Sequence, residues 1–293
     1  MVCETAVGFV ICPDGGAMYG AILGDIIGSP YEYDKAKSRR NLPLFSERSR
    51  VTDDTMMTVA IADALMSEQD FNDDDSLRYA FINRMRYWGR LYPNVGYGSR
   101  FRRWLLSENP TPFESSGNTC AVRVSPIAWL CDTLEQTRHI AALSAEVTHH
   151  HPEAVRGAEA VAGAIFMAGH GASKDEIAAY MTDEFHYDLG CHIENLQNFY
   201  PMDSTCKGSV PGSIVVFLES RSFEEAVRTT VALGGDTDTT SAIVGSMAEA
   251  FYGIPKSLKA EVFNYTRPCI QKVIHAFTHR VEQMRGIQAF MAS

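Results

Sequence analysis

Three glycines spaced four apart, Gly20, Gly24 and Gly28 within Tyr19–Gly28, leave one face of a helix bare of side chains. Each helical glycine costs on the order of 1 kcal/mol relative to alanine, so three on one face call for a compensating contact. The contact they suit is the close approach of a second helix. Helical partners are plentiful in the rest of the chain. Apolar residues recur at helical spacing over Met56–Leu65, Leu77–Trp88 and Ile140–Val147. Pro152 and Glu153 mark a helix start that Ala154–Ala168 continues, and Ser173 with Glu176 has the capping-box pattern. Ser213–Glu219, Phe223–Leu233, Asp238–Tyr252 and Lys256 onward read as further helices, whereas the stretch from Phe185 to Pro211 reads as a long ordered loop. Strand-like alternation is nearly absent. The sequence therefore predicts an all-α fold, one helical domain over residues 18–293, with residues 1–17 as a loosely ordered extension.

Composition narrows the function. At 293 residues and 45% hydrophobic content the chain can bury a core without staples. A net charge of −10 argues against a nucleic-acid surface, and the densest basic group, Arg100, Arg102 and Arg103, reads as a solvated helix face. Seven cysteines form no CxxC pair, which fits a reduced, cytoplasmic protein better than a disulfide framework or a zinc site. No apolar run reaches the roughly 20 residues of a membrane span, and residues 1–17 lack the basic start of a secretory signal. With no coiled-coil pattern, a monomer is expected.

Chemistry concentrates in two acidic clusters, each where a helix is about to start: Thr52-Asp53-Asp54-Thr55, and Asp236-Thr237-Asp238-Thr239 directly after Gly234-Gly235. One capping residue suffices for a helix N-terminus, so four oxygen-bearing side chains in a row exceed what capping explains. Joined in the fold, the four aspartates would repel one another, and a pair of hard divalent cations would relieve that repulsion. Oxygen donors suit Mg²⁺, Mn²⁺ or Ca²⁺, and neither cluster contains the His or Cys expected of zinc. Glu32 follows the glycine-striped helix on a loop and, taken alone, reads as surface. Gly96-Tyr97-Gly98-Ser99 and Gly117-Asn118-Thr119 are turns whose backbone N–H groups suit phosphate. In Thr148-His149-His150-His151-Pro152, three adjacent histidines cannot share one ion, so a single inward His is expected.

These residues, in this order, resemble the ADP-ribosylglycohydrolases. The likeness runs from about residue 18 to the C-terminal region. It rests on Gly20-Ala21-Ile22-Leu23-Gly24-Asp25 with Glu32, Thr52-Asp53-Asp54-Thr55, Gly117-Asn118 with Arg123-Val124, Thr148-His149, and Gly234-Gly235-Asp236-Thr237-Asp238-Thr239. The resemblance implies an all-α orthogonal domain with a central cleft for two Mg²⁺ ions. It implies Thr52, Asp53, Asp54, Asp236, Asp238 and Thr239 as metal ligands, and Glu32 as catalytic acid/base. Gly96, Gly98, Ser99, Gly117, Asn118 and His149 fall where the family's serine-directed branch holds its nucleotide.

Two departures bear on the leaving group. Arg100 stands where the serine-directed enzymes have a third glycine, and Trp88–Trp104 lacks the acid used by the bacterial arginine-directed hydrolase. The expected activity is release of ADP-ribose from an ADP-ribosylated protein or small molecule by cleavage at the distal ribose. The alternatives are a catalytically silent ADP-ribose-binding or crystallin-like relative and a dimetal phosphoesterase.

Overall fold

The computed structural model describes residues 17–32, 43–68, 70–194 and 203–292. Residues 1–16 of the expected extension lie outside that range. Ala17, its last residue, is buried, and its N–H donates to Glu249 Oε1 at 3.0 Å.

Helix follows helix among the described residues, with no strand beyond two isolated bridges, Phe113 with His149 and Gly117 with Thr205. The elements are α1 Tyr19–Gly28, α2 Asp53–Ser67, α3 Asp74–Leu91, α4 Ser99–Leu106, α5 Thr119–Val122, α6 Ser125–Leu130 and α7 Leu134–Glu146. They continue as α8 Pro152–Gly169, α9 Lys174–Phe185, α10 Cys206–Glu219, α11 Phe223–Leu233, α12 Thr237–Tyr252, α13 Lys256–Tyr265 and α14 Pro268–Ala292. No described helix is long and apolar enough to cross a membrane. Local chemistry sets many of the boundaries. Ser173 and Glu176 complete the capping box of α9, and the His151 ring accepts from the Glu153 N–H at the start of α8. Arg100, Arg102 and Arg103 project from α4 into solvent while Phe101, Trp104 and Leu105 are buried, as a solvated basic face requires.

Two expected boundaries shift. The long loop does not reach Pro211, because α10 starts at Cys206 with Thr205 capping the Gly208 N–H, and Pro211 lies inside the helix. A proline in the second turn costs one backbone bond, to the carbonyl of the exposed Lys207, which water can satisfy. The C-terminal helix divides in two because Pro268, well placed as a first helical residue, cannot continue α13.

The partner of the glycine stripe is α12. A Cβ on Gly20 would lie 2.1 Å from the Gly245 carbonyl oxygen, one on Gly24 would lie 2.1 Å from that of Ser241, and one on Gly28 would lie 2.2 Å from that of Thr237. Contacts stepping by +4 on α1 and −4 on α12 define an antiparallel pair in backbone contact, both helices almost wholly buried. The pairing is tied at each end. Glu249 accepts from the N–H groups of Ala17 and Gly20 at the start of α1, and the Thr237 hydroxyl donates to the Gly28 carbonyl at 2.9 Å at its finish. This register carries the C-terminal end of α1 past the N-terminus of α12.

Candidate active site

Both acidic clusters sit in the first turns of their helices, α2 and α12, whose positive ends face them. The fold brings the two together. One carboxylate oxygen from each of Asp25, Asp54 and Asp238 lies within 4.8 Å of the others, and a second such trio is formed by Glu32, Asp236 and Asp238. Asp238 belongs to both.

Simple capping does not account for this arrangement. Thr52 does cap α2, accepting from the Asp54 N–H at 3.3 Å, but Asp236 occupies the N-cap of α12 without making a capping bond. Its Oδ2 instead accepts from Asn118 Nδ2 at 2.8 Å, which joins the Gly117-Asn118 turn to the second cluster. The Thr239 hydroxyl donates to Asp54 Oδ2 at 2.6 Å, and the Thr52 hydroxyl donates to Asp25 Oδ1 at 2.8 Å. Each threonine thus spends its proton on a carboxylate and keeps at least one lone pair for another partner.

The electrostatics call for neutralisation of the cluster. Burial and then repulsion from Asp53 and Asp25 push the Asp54 carboxyl well above its ordinary range, and burial followed by repulsion from Asp54, Asp236 and Glu32 does the same to Asp238. Asp53 is pushed up to about 7, chiefly by burial and then by Asp25, Glu32 and Asp236. So many carboxylates in a small buried volume must share protons or hold positive ions. All-oxygen donors with shared carboxylates fit Mg²⁺ or Mn²⁺, so Thr52, Asp53, Asp54, Asp236, Asp238 and Thr239 form a donor set of the right chemistry.

Asp25, quoted in the sequence only as part of the glycine motif, proves central. Fully buried, it accepts from the Thr52 N–H at 2.9 Å, the Thr55 N–H at 3.2 Å, and both hydroxyls of those threonines. It fastens the start of α2 to α1. Its signal was its place directly after Gly24 in the glycine-striped helix, which the local pattern alone does not distinguish from a solvent-facing acid.

The remaining candidates divide. Gly96 is close to the cluster: its φ is +123°, a Cβ there would lie 2.6 Å from Asp53 Oδ1, and the neighbouring Val95 carbonyl accepts from the Asp53 N–H. Gly98 and Ser99 belong to the same loop and the start of α4 but are exposed, and a Cβ on Gly98 would meet nothing within 4 Å. Between them, Tyr97 is buried with no partner for its hydroxyl, and burial and then the Asp53 charge raise its pKa. His149 is the inward histidine, while His150 is exposed. Its Nδ1 is 2.8 Å from the Thr148 hydroxyl and its Nε2 faces Gly117, 3.5 Å from where a Cβ would stand. Burial and the Arg123 charge lower its pKa to about 3, so the ring is neutral at pH 7.

Comparisons with known proteins point the same way. The ADP-ribosylglycohydrolase family profile matches residues 15–286. The human ADP-ribosylhydrolase ARH3 is 26% identical over 92% of this chain and 93% of its own length. The ADP-ribosylarginine hydrolase Tri1 of Pseudomonas putida is 24% identical, over 82% of this chain and 70% of its own length. A solved structure titled "ADP-ribosylglycohydrolase-related protein complex" superposes with a TM-score of 0.70 at 22% identity, covering 92% of this chain and 96% of that one, a likeness of fold. With the profile spanning nearly the whole chain and the acidic helix starts meeting in one carboxylate cluster, the chain belongs to the ADP-ribosylglycohydrolase family and is a glycohydrolase enzyme.

Proposed function

We propose that this enzyme is a Mg²⁺-dependent hydrolase that releases ADP-ribose from an ADP-ribosylated acceptor by cleaving the glycosidic bond at the distal ribose. The observation that carries the reading is the pair of carboxylate trios sharing Asp238, one of which includes Glu32. Thr52, Asp53, Asp54, Asp236, Asp238 and Thr239 would hold two ions, Mn²⁺ being the alternative to Mg²⁺. Bound there, the ions supply concentrated positive charge for ribose hydroxyls and the reacting carbon.

The chain's own residues do the rest. Glu32 is half-buried at the end of α1, open enough to meet substrate and close enough to Asp236 and Asp238 to act at the same centre. It takes a proton from the attacking water and returns one to the departing acceptor atom. Asn118 orients Asp236, and Gly96 leaves room for a ligand to approach Asp53. His149 offers a neutral ring nitrogen toward Gly117, suited to a hydrogen bond with the ligand. The acceptor is a protein or small molecule, and the setting is a reducing, cytoplasmic one in which the enzyme works as a monomer.

The test is incubation of the purified protein with ADP-ribosylated peptides and Mg²⁺, with the products separated by chromatography. Free ADP-ribose that disappears with EDTA, with Glu32→Gln and with Asp238→Ala is the expected result. AMP and ribose phosphate would identify a phosphoesterase instead. Metal-dependent ADP-ribose binding without turnover on any acceptor would identify a silent relative.

A further inference from the structure

Directly behind the Gly117-Asn118 turn lie two thiols that the chemistry above does not use. Cys120, in α5, and Cys206, the first residue of α10, are both buried, and their Sγ atoms are 3.9 Å apart. The two share acceptors. Sγ of Cys120 is 3.3 Å from the carbonyl oxygens of Gly117 and Ala154, and Sγ of Cys206 is 3.5 and 3.7 Å from the same two. Cys206 is also packed into the notch left by Gly157 of α8, where a Cβ would lie 2.6 Å from its Sγ.

A second feature belongs to this pocket. Arg123, one turn beyond Cys120, is completely buried. Its Nη2 donates to the Ser144 carbonyl and, at 2.8 Å, to the Thr148 hydroxyl, while Nε and Nη1 have no hydrogen-bond partner. Its charge acts on both sulfurs. Burial raises the Cys120 pKa, but the hydrogen bond from Cys206 and the Arg123 charge outweigh burial and leave it below the ordinary value. Cys206 is shifted the opposite way, first by its hydrogen bond to Cys120. Of the two, Cys120 is thus the more readily ionised.

We propose that Cys120 and Cys206 are a modification site: a reversible disulfide formed by hydrogen peroxide. The Cys120 thiolate attacks one peroxide oxygen, the O–O bond breaks, and the other oxygen leaves as hydroxide, which takes up a proton to become water. Cys120 is then a sulfenic acid. The Cys206 sulfur attacks Sγ of Cys120, the S–O bond breaks, and the oxygen departs as water with the Cys206 proton. The sulfurs lose two electrons and the peroxide is reduced to two waters. A dithiol reductant reverses the bond by exchange.

The disulfide draws the sulfurs from 3.9 Å to about 2.0 Å. Both chain segments that must move already meet at the candidate active site. Asn118 N–H donates to the Ser204 carbonyl, Cys206 N–H donates to that of Ser116, and Asn118 Nδ2 bridges Asp236 and Ser209. Oxidation therefore displaces the residue that orients Asp236.

The experiment is treatment of the full-length protein with hydrogen peroxide, followed by non-reducing peptide mapping. The expected product is a peptide pair joining Cys120 to Cys206, lighter by two hydrogens and separated by dithiothreitol. In Cys206→Ser, Cys120 should instead be trapped by dimedone as the sulfenic acid. Cross-links that join other cysteines, or an intact Cys120–Cys206 dithiol after peroxide has oxidised the exposed Cys191 and Cys269, overturn the proposal.

The effect on the site rests on the function proposed above. Oxidised protein should bind ADP-ribose about fivefold or more weakly than reduced protein, and Cys120→Ser should remove the difference. Equal binding by the two forms overturns the coupling. An absence of binding in both forms, with the cross-link present, overturns the functional reading and leaves the disulfide standing.

Discussion

The Thr237 hydroxyl donates to the Gly28 carbonyl across 2.9 Å, and at this point the first helix and the acidic end of α12 are tied together. Glu32 follows Gly28 by four residues and Asp238 follows Thr237 by one, so this contact fixes the spacing of two groups in the second carboxylate trio.

Substitution along the glycine stripe should separate stability from site geometry. In Gly24→Ala the new methyl group would meet the Ser241 carbonyl at 2.1 Å, and backbone cannot rotate away as a side chain would. A loss of about 2 kcal/mol or more is expected by chemical denaturation, the upper part of the range for overpacking. Gly28→Ala should cost a similar amount and also weaken metal binding, because the helix end it pushes away carries Asp238. Near-native stability in Gly24→Ala would mean that the two helices are not in backbone contact.

Asp25→Asn tests whether the carboxylate is needed to fasten α2. The native side chain accepts four hydrogen bonds, two from backbone N–H groups and two from hydroxyls. An amide replaces one acceptor oxygen by a donor; Oδ2 takes three of the four bonds, so even with the amide nitrogen in the place of Oδ1 the Thr52 hydroxyl loses its acceptor, and a loss of about 2 kcal/mol is expected. Mg²⁺ affinity should fall with it, since Thr52 loses the group that takes its proton. If calorimetry found unchanged Mg²⁺ affinity in a folded Asp25→Asn protein, Asp25 would have no part in positioning Thr52.

Metal binding should strengthen as pH rises. In the metal-free protein Asp53 is shifted from an ordinary 3.8 to about 7, and Asp54 and Asp238 are also raised. Raised carboxylates favour the folded state most below their unfolded pKa. That contribution falls away as pH climbs from 3.8 through about 7 and the folded protein is forced to ionise them. A divalent ion removes the penalty, but only by displacing the protons. The rise in melting temperature on adding Mg²⁺ should therefore be larger at pH 8 than at pH 6, with proton release measurable at pH 6. Equal shifts at the two pH values would show that Mg²⁺ binds elsewhere.

What could be read in advance depended on the range of the interaction. The glycine stripe announced a close helix contact because the pattern lies within ten residues. Its partner, more than 200 residues away, leaves no local trace, and the Glu249 carboxylate capping α1 from α12 was equally hidden. The acidic clusters were visible because hydroxyl and carboxylate side chains exceeded what capping uses. Their junction through Asp238 and the place of Asp25 depend on packing between α1, α2 and α12, which no window of sequence contains. Pro211 misled for a physical reason too. One proline early in a helix costs a single bond when the orphaned carbonyl reaches water, and sequence does not tell which side is wet.

The buried His149 ring gives the fold an acid limit of its own. Its pKa falls from the ordinary 6.5 to about 3, first because burial disfavours the charge and then because Arg123 repels it. The unfolded chain takes up a proton as pH drops below 6.5 and the folded one does not, so the unfolded state binds more protons in that window. Stability contributed by the neutral ring is present above pH 6.5 and is lost as pH falls toward 3, at up to about 1.4 kcal/mol per pH unit from this group. His149→Gln keeps a polar side chain without a titrating ring. Urea unfolding at pH 7 and pH 5 should show a smaller acid loss in this variant than in the parent. Equal losses would place the acid sensitivity in other groups and make His149 a ring that titrates normally.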